Sequence, residues 1–148
     1  MKKKILISTG GSGGHVIPAI SLYEHLEDKF EIFLSTDKRG TKFIDKNIYN
    51  YKLIEIPRIT KNIFKLPYYI YFLLISFFNS YFFLKNNNIE LLISTGGYMS
   101  LPLCIASKIL NIKIILFEPN MVIGRSNKFF LKFSKKIICY SSNIINFQ

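Results

Sequence analysis

Residues 10–14 read Gly-Gly-Ser-Gly-Gly. This run constrains the fold more than any other stretch. Before it, residues 4–9 form a short apolar run of strand character. After it, residues 15–28 carry Val16, Ile20, Leu22 and Leu26 at helical spacing. Pro18 is then expected in the first helical turn, where proline is tolerated. A strand that passes through a glycine loop into a helix opens a βαβ unit. The helix start offers free backbone N–H groups to an anion, and glycine lets the backbone approach a phosphate closely. Four glycines in five residues exceed what a plain turn needs. A dinucleotide fingerprint requires Gly-x-Gly-x-x-Gly, but Val16 takes the third glycine's place. A P-loop requires Gly-Lys-Ser/Thr, but His15 follows Gly14.

The rest of the chain repeats the alternation. Strand-like segments span residues 30–35, 52–56, 91–94, 113–117 and 136–140, with Pro57 closing the third strand of the chain. Helical segments span 63–84, 102–110 and 124–133. Alternating strands and helices predict a parallel sheet with helices on both faces, a doubly wound, Rossmann-like α/β fold. The strands are continuous apolar runs, as burial on both faces requires. The length of 148 residues suits one domain. With 49% apolar and 20% charged residues, disorder is excluded. Cys104 and Cys139 lack metal or disulfide spacing and read as small buried hydrophobes. The apolar run after Lys2–Lys4 is too short for a secretory signal, so a cytoplasmic chain beginning directly with a strand is expected. Ser142 or Asn143 is placed to cap a helix after the last strand, and the expectation is a fragment, or one half of a longer protein.

Three loops gather the chemistry. Gly96-Gly97 follows the strand at 91–94 and leads to Tyr98 and Ser100, and Glu118-Pro119-Asn120 leaves the strand at 113–117. All three loops follow strands, so all belong at the carboxyl edge of the sheet, where ligands bind in open α/β folds. His15 reads as a proton acceptor or as a hydrogen-bonding group for a phosphate or a neighbouring loop. Glu118 is the one acid between residues 91 and 148, against seven bases. It reads as a site residue or an ion-pair partner. Asp37, ending the second strand, reads as a ribose-binding acid or a turn residue.

The formal net charge is +11, and 17 of the 20 basic residues are lysine. With 14 Phe and 9 Tyr, that balance points to phosphate groups, acidic lipid or nucleic acid. Residues 66–84 hold 19 uncharged positions, about 28 Å of helix. A span there would separate the first two glycine loops across a bilayer, and they could not share a sheet edge. Ser76, Asn79 and Ser80 form a polar stripe at helical spacing. The expectation is a helix packed on the sheet by one side, with Tyr71, Leu74, Phe78 and Phe82 as a peripheral membrane patch. Lys61, Lys65 and Lys85 flank it, suited to lipid phosphates. Arg125, Lys128, Lys132, Lys135 and Lys136 form a basic stretch that faces phosphate, membrane or plain solvent.

Together the loops resemble a known family. Gly10 to His15 with Pro18-Ala19 resembles the GGTGGHxxPA opening of the MurG family of bacterial N-acetylglucosaminyltransferases. Gly96-Gly97-Tyr98 with Ser100 and Pro102 matches its GGYxSxP loop. Glu118-Pro119-Asn120 with Gly124 and Asn127 resembles its HEQNxxxGxxN stretch. The resemblance implies one half of a GT-B glycosyltransferase, with residues 1–148 as the amino-terminal, acceptor-side domain. A carboxyl-terminal donor-binding domain lies outside this chain, which alone is not expected to turn over. The implied reaction is inverting transfer of GlcNAc from UDP-GlcNAc to undecaprenyl-diphosphate-linked MurNAc-pentapeptide, lipid I to lipid II. It belongs to peptidoglycan synthesis, and through it to cell shape and division. The implied catalytic residues are His15 and Glu118. Gly11, Ser12, Gly13, Gly14, Gly96, Gly97, Tyr98, Ser100, Asn120 and Asn127 are the implied substrate-binding residues. The implied partners are UDP-GlcNAc, a lipid-linked diphosphate sugar, an anionic membrane surface and the donor-binding domain. No cofactor, metal or nucleic acid is expected, and the implied location is peripheral, on the cytoplasmic face of the cell membrane. Ser12 replaces the family's Thr, Phe117 its His and Pro119 its Gln. The alternatives are a non-catalytic membrane-bound subunit that recruits a separate donor-binding chain, and a nucleotide-binding Rossmann module.

Overall fold

The computed structural model describes residues 2–56 and 63–141. Pro57, Lys61, Ser142 and Asn143 lie outside the described residues. Six strands form one parallel sheet in the order β3-β2-β1-β4-β5-β6. They are β1 (Lys4–Ser8), β2 (Glu31–Thr36), β3 (Tyr51–Leu53), β4 (Leu91–Ser94), β5 (Lys113–Glu118) and β6 (Lys136–Cys139). The helices are α1 (Gly13–Leu26), α2 (Leu66–Asn86), α3 (Ser100–Ile109) and α4 (Arg125–Phe130). The fold is the doubly wound α/β sheet expected.

Each central strand feeds two cores. Leu6, Leu92, Ile114 and Leu116 face a cluster completed by Leu84 of α2, Leu103, Cys104 and Ala106 of α3, and Phe130 of α4. Ile5, Ile7, Leu34 and Ile93 face the opposite cluster with Val16 and Ala19 of α1. Neighbouring residues alternate between the two layers, so both positions must be apolar.

Local signals set the ends of two helices. Asn88 and Asn111 adopt left-handed backbone angles, φ 53° and 56°. Just beyond them, the Ile89 N–H returns to the Leu84 carbonyl at 3.0 Å and the Ile112 N–H to the Ser107 carbonyl at 2.8 Å. This is the pattern by which a left-handed residue satisfies the last carbonyls of a helix.

Several boundaries differ from expectation. α1 starts at Gly13 because the N–H groups of His15 and Val16 close onto the Ser12 carbonyl. Pro18 therefore lies beyond the first turn and costs the helix one internal hydrogen bond. β3 covers only Tyr51–Leu53, because it pairs with β2 alone at the sheet edge. A short 3-10 turn, Ile63–Lys65, precedes α2. Cys104 is buried as expected, whereas Cys139 sits partly open on the edge strand β6.

The long helix α2 packs against α3 with an inverted pattern. Its buried residues are Tyr69, Ser76, Ser80 and Leu84, while Asn79 stays exposed. Two of the three expected polar-stripe residues thus face inward, and the Ser76 hydroxyl donates to the Glu55 carbonyl at 2.8 Å. The outer side carries Tyr71, Leu74, Phe78 and Phe82, each more than half exposed.

Candidate functional site

β1 and β4 are neighbours, and the chain order reverses between them. That reversal is the switch point where open α/β sheets leave a crevice. The first two glycine loops leave the sheet there. The same dipeptide stands at the carboxyl ends of β1, β2 and β4, as Ser8-Thr9, Ser35-Thr36 and Ser94-Thr95; the serines are in register and all six residues are fully buried. The Ser94 hydroxyl accepts the Gly96 N–H at 3.2 Å, and the Ser8 hydroxyl donates to Met99 Sδ at 3.3 Å. This hydroxyl row supports the loops from below. Sequence reasoning missed it, although three Ser-Thr pairs each followed by Gly or Asp were visible.

Asp37 holds the first loop. Its Oδ1 accepts the N–H groups of Gly11 and Gly40, each at 2.9 Å. Its Oδ2 accepts Arg39 Nε at 3.0 Å and a terminal Arg39 nitrogen at 2.9 Å. Burial pushes the Asp37 carboxyl up, but the two backbone donors and Arg39 outweigh it and hold the group below its ordinary value. With both oxygens engaged, Asp37 is a loop clamp rather than a free ribose acceptor. Ser12 caps α1 in an extended conformation without a side-chain hydrogen bond. Gly13 and Gly14 are the first two helical residues, so their N–H groups have no acceptor within the helix. No acidic residue occupies that first turn. Ser12, Gly13 and Gly14 thus present a hydroxyl and two N–H donors at the positive end of the helix dipole.

The second loop packs directly on the first. Gly96 and Gly97 have φ +95° and +91°, and a Cβ on Gly97 would lie 3.3 Å from the Gly10 carbonyl oxygen. Backbone angle and close approach both require glycine there. Ser100 is fully buried; its hydroxyl donates to the Gly97 carbonyl at 2.6 Å and lies 2.9 Å from Ser126 Oγ. Tyr98 points outward and lines an apolar pocket of about 140 Å³ with Ile56, Leu66, Tyr69, Ile70, Leu73 and Leu101.

Glu118 organises the third loop. It is fully buried, and four N–H groups reach its two oxygens. Oε1 accepts the Asn120 backbone N–H at 3.2 Å and Asn120 Nδ2 at 3.0 Å. Oε2 accepts the Gly124 N–H at 2.8 Å and Asn127 Nδ2 at 3.0 Å. Those donors satisfy the carboxylate as an acceptor. Asn127 is itself fully buried, whereas Asn120 is exposed. His15, half-buried at the start of α1, meets this loop across Gly96. The three loops therefore converge. Gly11, Ser12, Gly13, Gly14, His15, Tyr98 and Asn120 each keep exposed surface, whereas Ser100, Glu118 and Asn127 are fully buried.

Burial raises the Cys104 thiol to about 12. Burial, and then the Glu118 charge, also push Cys139 up. Neither is a poised nucleophile. Among the described residues, no three His, Cys, Asp or Glu side chains are grouped to hold a metal ion.

The glycosyltransferase family 28 N-terminal domain matches residues 5–139 of this chain. The chain is 57% identical over 147 residues to the UDP-N-acetylglucosamine–N-acetylmuramyl-(pentapeptide) pyrophosphoryl-undecaprenol N-acetylglucosamine transferase of Pelagibacter ubique, covering 99% of this chain and 41% of that protein. It is 40% identical to the like-named protein of Prochlorococcus marinus (strain MIT 9301), covering 87% of this chain and 36% of that one. The crystal structure of MurG from Acinetobacter baumannii matches in fold over 97% of this chain and 43% of its own, with a TM-score of 0.84 at 22% identity. The chain thus spans about two fifths of the length of these relatives.

Proposed function

The chain belongs to the glycosyltransferase family 28 N-terminal domain family, and on that premise we propose that it is the acceptor-side domain of a transferase for GlcNAc. The donor is UDP-GlcNAc and the acceptor an undecaprenyl-diphosphate-linked MurNAc-pentapeptide. A carboxyl-terminal domain completes the donor site. The observation that carries this reading is the packing of three loops together at the carboxyl edge of the sheet, beside the switch point, in a chain 57% identical to the Pelagibacter ubique transferase.

The chemistry follows from the residues present. An acceptor hydroxyl attacks the anomeric carbon, the bond to UDP breaks, and the hydroxyl proton must leave. His15 is the proton acceptor, within reach of the open side of the loops. Glu118 serves by shaping the loop that carries Asn120, because its oxygens are already engaged. The free N–H groups of Gly13 and Gly14, with Ser12, stabilise a diphosphate.

The outer face of α2 seats the domain on the cytoplasmic face of the membrane as a peripheral protein. Tyr71, Leu74, Phe78 and Phe82 enter the lipid, and Lys65 and Lys85 meet its phosphates. The apolar pocket beside Tyr98 lies between that face and the second loop. It suits the first part of a prenyl chain whose diphosphate reaches the loops.

The test is transfer of labelled GlcNAc from UDP-GlcNAc to the lipid-linked acceptor by the longest product of the gene, compared with its His15→Ala variant. Loss of a general base costs roughly 100-fold or more in rate. Absence of transfer from a folded two-domain product overturns the proposal.

A further inference from the structure

A cavity of about 310 Å³ opens beside the first loop, past the carboxyl ends of β2 and β3. Among the described residues its charged lining includes Lys38 and Arg39, which follow β2, and Glu55, which follows β3. Ile56, Tyr68 and Phe72 supply an apolar wall, and the two rings, one turn apart on α2, lie 4.6 Å apart between centroids. Cavities that hold small ligands begin at about 300 Å³.

This cavity adjoins both places given above to the acceptor. A terminal nitrogen of Arg39 lies 3.4 Å from the position a Cβ on Gly11 would take, so the guanidinium flanks the first loop. Asp37 joins the two by accepting from both. Ile56 also lines the apolar pocket beside Tyr98.

Its charges are arranged for a ligand that is more than a simple anion. Asp37 fixes the Arg39 guanidinium, which carries five N–H groups. Two of them go to Asp37 Oδ2, and the rest find no acceptor among the described residues. Glu55 pairs with neither cation; the ion pairs among the described residues are Lys4–Glu31 and Arg39–Asp37. Lys38, Arg39 and Glu55 are all exposed to solvent. A phosphate, a diphosphate or an acidic head group placed here would be repelled by Glu55 as well as attracted by the cations. The end of a peptide differs, because it brings one carboxylate with amide N–H donors close behind it.

We infer that this cavity is the subsite for the carboxylate end of the acceptor's pentapeptide. Arg39 and Lys38 take the terminal carboxylate, for which the planar fork of arginine is well shaped. Glu55 accepts a backbone N–H of the peptide, and Ile56, Tyr68 and Phe72 cover its apolar side chains. Five extended residues span at most about 17 Å, so a peptide that starts on the reacting sugar at the loops can end here. The inference rests on the acceptor proposed above.

The first arm of the test uses the intact chain, labelled with nitrogen-15 and titrated with free N-acetylmuramyl-pentapeptide, which carries neither lipid nor diphosphate. The amide signals of Lys38, Arg39, Gly40, Glu55 and Ile56 are expected to move and to saturate. Amidation of the peptide's terminus is expected to weaken binding about tenfold, and so is Arg39→Gln. Glu55→Gln leaves the Asp37 clamp intact; it is expected to weaken binding of the peptide and to strengthen binding of inorganic diphosphate. Signals that stay still, that move only at residues 11–15 or 118–127, or that move equally with the amidated peptide overturn the inference. The second arm uses the longest product of the gene. Arg39→Gln is expected to raise KM about tenfold more for the lipid-linked acceptor with its pentapeptide than for the same acceptor without it. An equal change for both overturns the subsite. Peptide bound at the cavity by a product that transfers no GlcNAc keeps the subsite and removes the reading of function.

Discussion

Asp37 Oδ1 accepts the Gly11 N–H at 2.9 Å, tying the end of β2 to the loop that leaves β1. The same oxygen takes the Gly40 N–H, and Arg39 takes the other oxygen. One carboxylate therefore sets the shape of the first glycine loop. A hydrogen bond to a charged group contributes about 1.5–3 kcal/mol, so Asp37→Asn should lower stability by roughly 1–2 kcal/mol. The carboxyl is held below its ordinary value of 3.8 in the folded chain. Its contribution is therefore fully present above that value. It is lost as pH falls further, through the folded group's lower pKa, because the unfolded chain takes up the proton first. Thermal unfolding from pH 6 down to pH 2 should show a smaller acid-induced loss for Asp37→Asn than for wild type.

Gly97 meets the Gly10 carbonyl with a backbone angle that L side chains rarely adopt. Gly97→Ala should therefore cost about 1–3 kcal/mol, read as a fall in the urea midpoint. Gly14→Ala is the control. It faces only Ser12 Oγ at 3.7 Å and sits within helical geometry, so its midpoint should hold or rise.

The layering was legible because its signals are local. Apolar runs bounded by Gly and Pro marked the strands, and the three loops stood out at strand ends. What was not legible depends on distant partners. Gly13 and Gly14 resemble loop, yet they join α1 because the Ser12 carbonyl collects two N–H groups. Asp37 resembles any strand-end acid until Gly11, 26 residues away, is folded beside it. Glu118 is one acid among bases, and only the curl of residues 120–127 shows that its lone pairs are taken. The inward serines of α2 were equally hidden, since a stripe of Ser76 and Ser80 marks a side of a helix without saying what that side meets.

Phe78 and Phe82 are each more than half exposed and belong to neither core cluster. Phe78→Ser with Phe82→Ser should change thermal stability little, as surface substitutions do. Burial of one such side chain in lipid is worth about 1.5–3 kcal/mol. The pair should therefore weaken binding to anionic vesicles by at least roughly tenfold, measured by co-sedimentation at fixed salt. Vesicle binding equal to wild type would remove α2 from the membrane account.

His15 lies in the first turn of α1 and Glu118 is the last residue of β5, and their surroundings differ. Glu118 is fully buried with four N–H donors on its two oxygens. Glu118→Gln replaces one oxygen by an NH2 group, which must then face N–H donors with nothing to accept. The expected cost is about 2–3 kcal/mol of stability, seen as a lowered unfolding temperature. Any loss of transfer should come with that instability. His15 contributes no hydrogen bond through Nδ1 to the described protein and is only half-buried. His15→Ala should therefore leave the unfolding temperature within a few degrees of wild type while lowering the rate of transfer by about 100-fold or more. The two variants are to be compared by calorimetry and by initial rates in the same preparation. Activity lost in Glu118→Gln at unchanged stability would return that carboxylate to the chemistry, and full activity in His15→Ala would take the imidazole out of it.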